Sequence, residues 1–295
     1  HFLEKLYELT PPKLPNIGLK EAFSMRSMLS PIRKHGTRGL VDFMRVAPMM
    51  MPELVDEWFE NELLRAAIST AGIHHLSFGP FAAATGLNLL HQHVQGNGVF
   101  HNAHFVKGGT GELTNAVKLS AKSANVEIRN SSKVTCINVE NGICSGVSFE
   151  SGESIQADQV VSGLDPNNTF INLVGPSKLN PSFATQLRNI KYRGSSARIH
   201  FALNNLPKIN GISEDQMGTV FSASHSIEYL ERTSDSVKYG RLGENPYVEF
   251  NIPSILNPDF APNGKHVLSA TVQYAPYHLR GMNWTEELKE QMKNN

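Results

Sequence analysis

The stretch FVKGGTGELTNAVKLSAKSANVEIRNSSKVTCINVENGICSGVSFESGESIQADQVVSGLDP, Phe105 to Pro166, decides the fold. Gly108 to Gly111 reads as a turn, and Glu112 to Ala121 as a helix with Leu113, Ala116 and Val117 inward. Val126 to Arg129 reads as a short strand. Val134–Glu140, Ile143–Glu150 and Glu153–Gln156 then form a three-stranded meander, because Asn141-Gly142 and Ser151-Gly152 are hairpin turns between alternating runs. Gln159 to Ser162 is a further apolar strand. Asp165-Pro166 ends it and opens a helix through Leu173.

The first hairpin also settles the two cysteines. With Asn141-Gly142 as a two-residue turn, Glu140 faces Ile143, Val139 faces Cys144 and Cys136 faces Val147. The thiols then lie on opposite faces, roughly 10 Å apart along the ribbon, too far to bridge. Two unbridged cysteines imply a reducing, cytoplasmic compartment.

Outward from this unit the texture changes on both sides. Residues 1 to 100 read as helical: Leu3 to Leu9, Gly18 to Ser30, Arg38 to Met51, the run PELVDEWFENELLRAAIST from Pro52, and PFAAATGLNLLHQHV from Pro80. In the run from Pro52, Val55, Phe59, Leu63 and Ala66 mark one face. The cluster Met49-Met50-Met51 reads as core filling, with an apolar pocket or a bilayer contact as the other uses. Beyond Leu173, Arg198–Leu203, Thr219–Ala223, Tyr247–Ile252 and His266–Tyr274 alternate or carry β-branched runs, and predict an antiparallel sheet. A helix is expected at Ser226 to Val237, and Asn283 is the expected N-cap of a last, charged helix.

Composition narrows the function classes. The chain has 295 residues, 40% hydrophobic and 18% charged, which is globular. Lys plus Arg equals Asp plus Glu at 27 each, so no long-range field draws a phosphate backbone, and nucleic acid is not an expected partner. No apolar run approaches the roughly 18 residues of a membrane span, and no signal segment is visible. The start at His1 and the helical run at the other end give the expectation of an interior piece of a longer protein.

The glycine cluster invites a dinucleotide reading. Counted from Gly109, however, the sixth position of G-x-G-x-x-G is Thr114, and the preceding segment is His101-Asn-Ala-His-Phe-Val106 rather than a buried apolar strand. The turn is a helix start, not a phosphate finger. The twelve histidines do not converge: His74 and His75, read on a helix, point about 100° apart. No metal site is expected, there is no nucleophile elbow, P-loop or H-E-x-x-H, and no catalytic residue is singled out. From the residues alone the chain is a mixed α/β (α+β) protein without a named reaction.

A resemblance goes further. Gly108-Gly109, Val126-Glu-Ile128, Val134-Thr-Cys-Ile137 and Ala157-Asp-Gln-Val-Val-Ser162 follow the order found in the returning half of the FAD-binding domain of the amine oxidase and phytoene desaturase superfamily. LVDEWFENELLRAAIST from Leu54 and IPSILNPDFAPNGKHVLSATVQYAPYHL from Ile252 resemble its phytoene dehydrogenase-like branch. The resemblance implies residues 1–101 as the helical part of a substrate domain and 102–166 as part of a Rossmann-like FAD domain. It implies 167–282 as the antiparallel-sheet part of the substrate domain and 283–295 as the start of a helix leading back. It also implies FAD as cofactor, with contacts from the Val134 backbone, the Gly108-Gly109 turn, Ser162 and Gly163, and hydride removal from a mostly apolar substrate onto the flavin. NAD(P) dependence is a weaker implication. The family's opening G-x-G-x-x-G and its closing glycine-rich segment lie outside this sequence, so the chain alone is expected to hold FAD weakly. The rival expectation is a non-catalytic binding or regulatory module, and a third is peripheral membrane contact through Leu40 to Met51. Oligomeric state is not legible.

Overall fold

A computed structural model describes Leu3, Tyr7 and residues 30–94, 106–243 and 245–294. The helices expected at Leu3 to Leu9 and Gly18 to Ser30 therefore fall mostly outside the described residues. In chain order the helices are α1 (Ser30–Val46), α2 (Met51–Asp56), α3 (Glu62–Ile73), α4 (Thr85–His93), α5 (Thr110–Ser123), α6 (Pro181–Asn189), α7 (Ile227–Lys238), α8 (Pro253–Leu256) and α9 (Glu286–Asn294). The strands are β1 (Val134–Glu140), β2 (Ile143–Phe149), β3 (Ser154–Gln156), β4 (Ser196–Leu203), β5 (Phe221–Ser222), β6 (Tyr247–Asn251) and β7 (His266–Gln273). The chain forms two compact units. One holds residues His1–Glu112 and Arg193–Asn295, the other Leu113–Tyr192.

The larger unit is built on the sheet β4-β7-β6-β5, all antiparallel. Its register puts Ala197, Ile199 and Phe201 on one face with Val272, Ala270 and Leu268, and with Val248, Phe250 and Phe221. The other face carries Arg198, His200, Thr271, Gln273, Tyr247, Glu249 and Ser222. That alternation is the period-2 pattern of the sequence made physical. The core lies in two clusters. Met51, Val55, Ala66 and Ile227 form one; Ile73, Leu230, Tyr247 and Tyr274 form the other. Met51 is fully buried, so it fills core as expected.

The run from Pro52 breaks into two helices instead of one. Glu53 accepts from the Met50 backbone N–H at 2.9 Å to start α2, and Asn61 accepts from Leu64 N–H at 3.0 Å to start α3. The restart turns the expected face: Val55 and Ala66 are buried, but Phe59 and Leu63 are exposed. The expected strand Thr219–Ala223 shrinks to two residues. Asn283 is not a cap; α9 begins later, where Thr285 Oγ1 accepts from Leu288 N–H at 3.3 Å. A side-chain acceptor three residues before a free N–H is the capping geometry, and Thr285 supplies it.

The smaller unit contains the meander β1-β2-β3. Glu140 faces Ile143 and Val139 faces Cys144, as expected, but Cys136 faces Ser148 rather than Val147. The register shifts between Asn138 and Val139, where Ser145 is the extra residue of a bulge and Gly146 takes φ +140°. Both thiols are free and half-buried.

Three expectations for this unit fail together. Residues 126–129 and 159–162 have no regular secondary structure and join no sheet. The α5 side chains expected inward are outward: Leu113 is 56% and Val117 62% exposed. Val126, Ile128 and Val161 are exposed as well. An extended apolar segment becomes a strand only when a partner supplies ladder hydrogen bonds, and none is present among the described residues. The helix expected through Leu173 is present as Asn167–Val174, in the π form. Asp165 Oδ1 accepts from the Asn167 and Asn168 N–H groups at 3.0 Å, satisfying its first donors.

Candidate functional site

The residues expected to meet the cofactor divide between the two units. Gly108 and Gly109 lie in the larger one, at φ +80° and +91°, left-handed values that favour glycine. A Cβ on Gly109 would stand 2.7 Å from the Phe260 ring. The turn therefore needs glycine for its own folding, and Glu112 N–H donates to Gly109 O at 3.1 Å to open α5.

Val134, Ser162 and Gly163 lie in the smaller unit. Val134 opens β1, an outer strand of the meander, whose far edge has no partner strand among the described residues. Backbone groups on such an edge are open to a ligand. Ser162 is already engaged: its hydroxyl bonds Thr169 Oγ1 at 2.8 Å and accepts from Leu164 N–H at 3.2 Å. It also borders a cavity of about 420 Å³ walled by Ile137, Val139, Cys144, Leu164 and Phe170. Gly163 has an ordinary φ, and an added Cβ there would meet nothing. Nearby, the Asn168 backbone N–H and amide hold the Asp165 carboxyl below the usual carboxylate range. The Tyr192 hydroxyl also donates to Asp165, at 3.1 Å.

The larger unit holds a polar constellation that the sequence did not disclose. On the polar face of the four-stranded sheet, the Tyr247 phenol donates to Glu249 Oε1 at 2.5 Å and shares a 2.9 Å bond with Ser222 Oγ. His74 Nε2 stands 3.6 Å from the other oxygen of Glu249. Burial, then the Glu249 charge, pushes the Tyr247 hydroxyl well above its ordinary pKa. Tyr274, whose hydroxyl donates to Phe78 O at 3.0 Å, is pushed up by burial too.

The histidine pair does not diverge as a helix would have it. α3 ends at Ile73, and His75 adopts φ +61°. The rings of His74 and His75 stack 3.9 Å apart at 20°. Gln273 pins this corner from β7, with Nε2 donating to Ile73 O at 2.6 Å and Oε1 accepting from His75 N–H at 3.2 Å. The signal available in sequence was the alternation Tyr247-x-Glu249, which shows a shared face but not its partner. His74 and Glu249 are 175 positions apart and meet only through the packing of α3 on the sheet. Among the described residues, no group of three or more His, Cys, Asp or Glu is arranged for a metal.

The opposite face of the sheet is apolar and only half-buried, with Ile199, Phe201, Val248, Phe250 and Leu268 along it. Phe221 and Phe250 stack at 5.1 Å. The sheet thus carries a polar, hydrogen-bonded network on one face and an apolar, half-buried surface on the other.

A three-stranded meander in one unit, and helices with a four-stranded antiparallel sheet in the other, make a mixed α/β fold. Residues 52–290 match the model of the flavin containing amine oxidoreductases, and the chain belongs to that family. It is 29% identical over 279 residues to the pyridine nucleotide-disulfide oxidoreductase domain-containing protein 2 of Rattus norvegicus, covering 89% of this chain and 48% of the relative. It is 26% identical over 233 residues to a zeta-carotene-forming phytoene desaturase of Myxococcus xanthus, covering 79% of this chain and 42% of that enzyme. Among solved structures, an oxidoreductase from Methanosarcina mazei superposes with a TM-score of 0.53 at 13% identity, over 94% of this chain and 55% of that one. The resemblance to the phytoene dehydrogenase-like branch and the mixed α/β fold are thus borne out. The chain spans about half the length of the curated relatives it matches.

Proposed function

We propose that this chain is the substrate-domain-rich part of an FAD-dependent oxidoreductase that removes hydride from a mostly apolar small molecule. The family match over residues 52–290 carries the reading. In this proposal residues 1–101 and 167–282 make the substrate domain, 102–166 belong to the FAD domain and 283–295 lead back to it. In the smaller unit, the open edge of β1 at Val134, with Ser162 and Gly163, would take part in holding a flat cofactor; in the larger unit, the Gly108-Gly109 turn would allow close backbone approach. Bound there, the flavin would accept the hydride. The chain's own contribution is a dry surface: the half-buried apolar face of the sheet orients the substrate and excludes water. No diphosphate-binding glycine finger occurs in this sequence, so the chain by itself is proposed to hold FAD weakly.

The test is flavin content. The 295-residue chain and a version extended to the length of its relatives are purified, and flavin absorbance is measured per mole of protein. The proposal expects near-stoichiometric flavin in the extended protein only, bleached anaerobically by an apolar substrate. Flavin absent from the extended protein would favour the rival, a binding module without redox chemistry.

Peripheral membrane contact is proposed through α1, where Val41 and Met44 are more than 60% exposed beside Arg38 and Arg45. No helix among the described residues is long and apolar enough to cross a membrane. Co-sedimentation with vesicles, lost when Val41 and Met44 become Glu, tests it.

A further inference from the structure

A cavity in the larger unit lies at α7. It measures about 1060 Å³ and is lined by Ser224, His225, Tyr229, Arg232, Tyr239 and Arg241 among others. Two guanidinium groups thus share one concave surface. Both side chains are exposed, and neither makes an ion pair with a described residue. Among the described residues the acid that borders the cavity, Asp235, is already occupied by Lys238 Nζ at 2.7 Å. Two like charges facing the same space repel, and an anion between them would remove the repulsion and gain charge-assisted hydrogen bonds.

Two further features point to a ligand with more than a bare charge. The Ser224 hydroxyl is buried yet has no hydrogen-bond partner, which leaves a donor and acceptor that the protein does not satisfy. Other lining hydroxyls are engaged: Thr233 donates to Leu230 O at 2.9 Å, Ser236 to Thr233 O at 3.0 Å, and Ser222 bonds the Tyr247 phenol. The wall is also aromatic. His225 and Tyr229 pack ring to ring at 4.5 Å, and Tyr239 stands 60% exposed at the rim. Flat side chains beside a pair of arginines suit a flat heterocycle attached to a phosphate.

We propose that this cavity is a second ligand site, for a nucleotide-class anion, with its phosphate on Arg232 and Arg241 and its ring against the Tyr239–Tyr229 wall. The site does not rest on the flavin reading, since all its residues belong to the larger unit and none is a residue proposed to meet FAD.

The experiment is isothermal titration of the chain, without flavin, with AMP, inorganic phosphate and adenosine at low ionic strength. Arg232→Gln, Arg241→Gln and, as a control in the smaller unit, Arg188→Gln are titrated alongside, with thermal melts to confirm folding. AMP should bind more tightly than phosphate, and adenosine should not compete. Each arginine variant should weaken AMP about tenfold through one lost charge-assisted contact, with the control unchanged. Three results would each overturn the proposal: no AMP binding at millimolar concentration, phosphate or adenosine matching AMP, or AMP affinity unaltered in both variants, which would place the nucleotide elsewhere.

Discussion

Replacing Tyr247 with Phe tests the buried network at the centre of the larger unit. The phenol is 1% exposed and donates to a carboxylate at 2.5 Å while bonded to Ser222 at 2.9 Å. A hydrogen bond to a charged group contributes about 1.5–3 kcal/mol, so Tyr247→Phe should destabilise the unit by that amount near neutral pH. The pH dependence is more specific. Tyr247 and Tyr274 both have folded-state pKa values raised well above the ordinary 10.0. A group with a raised folded pKa contributes stability that is fully present below its unfolded pKa and is lost as pH rises toward the folded one. Each phenol therefore removes about 1.4 kcal/mol per pH unit above roughly pH 10. Urea unfolding followed by circular dichroism from pH 8 upward should show both slopes in the wild type and about half the slope in Tyr247→Phe. Tyr229, raised by burial to a lesser degree, adds a shallower background common to both proteins. Equal alkaline slopes in the two proteins would refute the assignment of Tyr247 as a buried, carboxylate-bound phenol.

Other substitutions probe particular joints. Gly146→Ala places a Cβ 2.0 Å from the Ile155 carbonyl at φ +140°, and backbone cannot swing aside, so a loss of about 3 kcal/mol or more is expected. Hydrogen exchange should show the β2–β3 pairing opening first. The nearest atoms to a Gly109→Ala methyl belong to the Phe260 ring, a side chain 40% exposed that can move outward, so the φ of +91° sets the cost at about 1–2 kcal/mol. Adding Phe260→Ala should recover less than half of the lost melting temperature; full recovery would show that the clash, not the backbone, was responsible. Ser226→Ala removes the cap that accepts from Tyr229 N–H at 3.0 Å, and a chemical melt should register about 1 kcal/mol.

The sequence by itself determined whatever rests on local chemistry. Asn141-Gly142 fixed the first hairpin because both residues can take positive φ, and Asn141 and Gly142 do so at +50° and +79°. Ser226 announced α7, and alternation located β4, β6 and β7. Ordered family segments such as Ala157 to Ser162 named the superfamily before any geometry was known.

Only tertiary structure decided the rest. Whether residues 126–129 are a strand depends on a neighbour that the segment cannot supply for itself. Whether Leu113 and Val117 face inward depends on something to face. The bulge at Ser145 and Gly146 moved Cys136 from Val147 to Ser148, because one unpaired residue shifts every pairing beyond it. His74, Ser222 and the pair Tyr247 and Glu249 come from three separate segments, and their contacts exist only once the end of α3, β5 and β6 are packed. Spacing along a chain reports which side chains share a face. It does not report which faces meet, and the candidate chemistry of this protein is made where they meet.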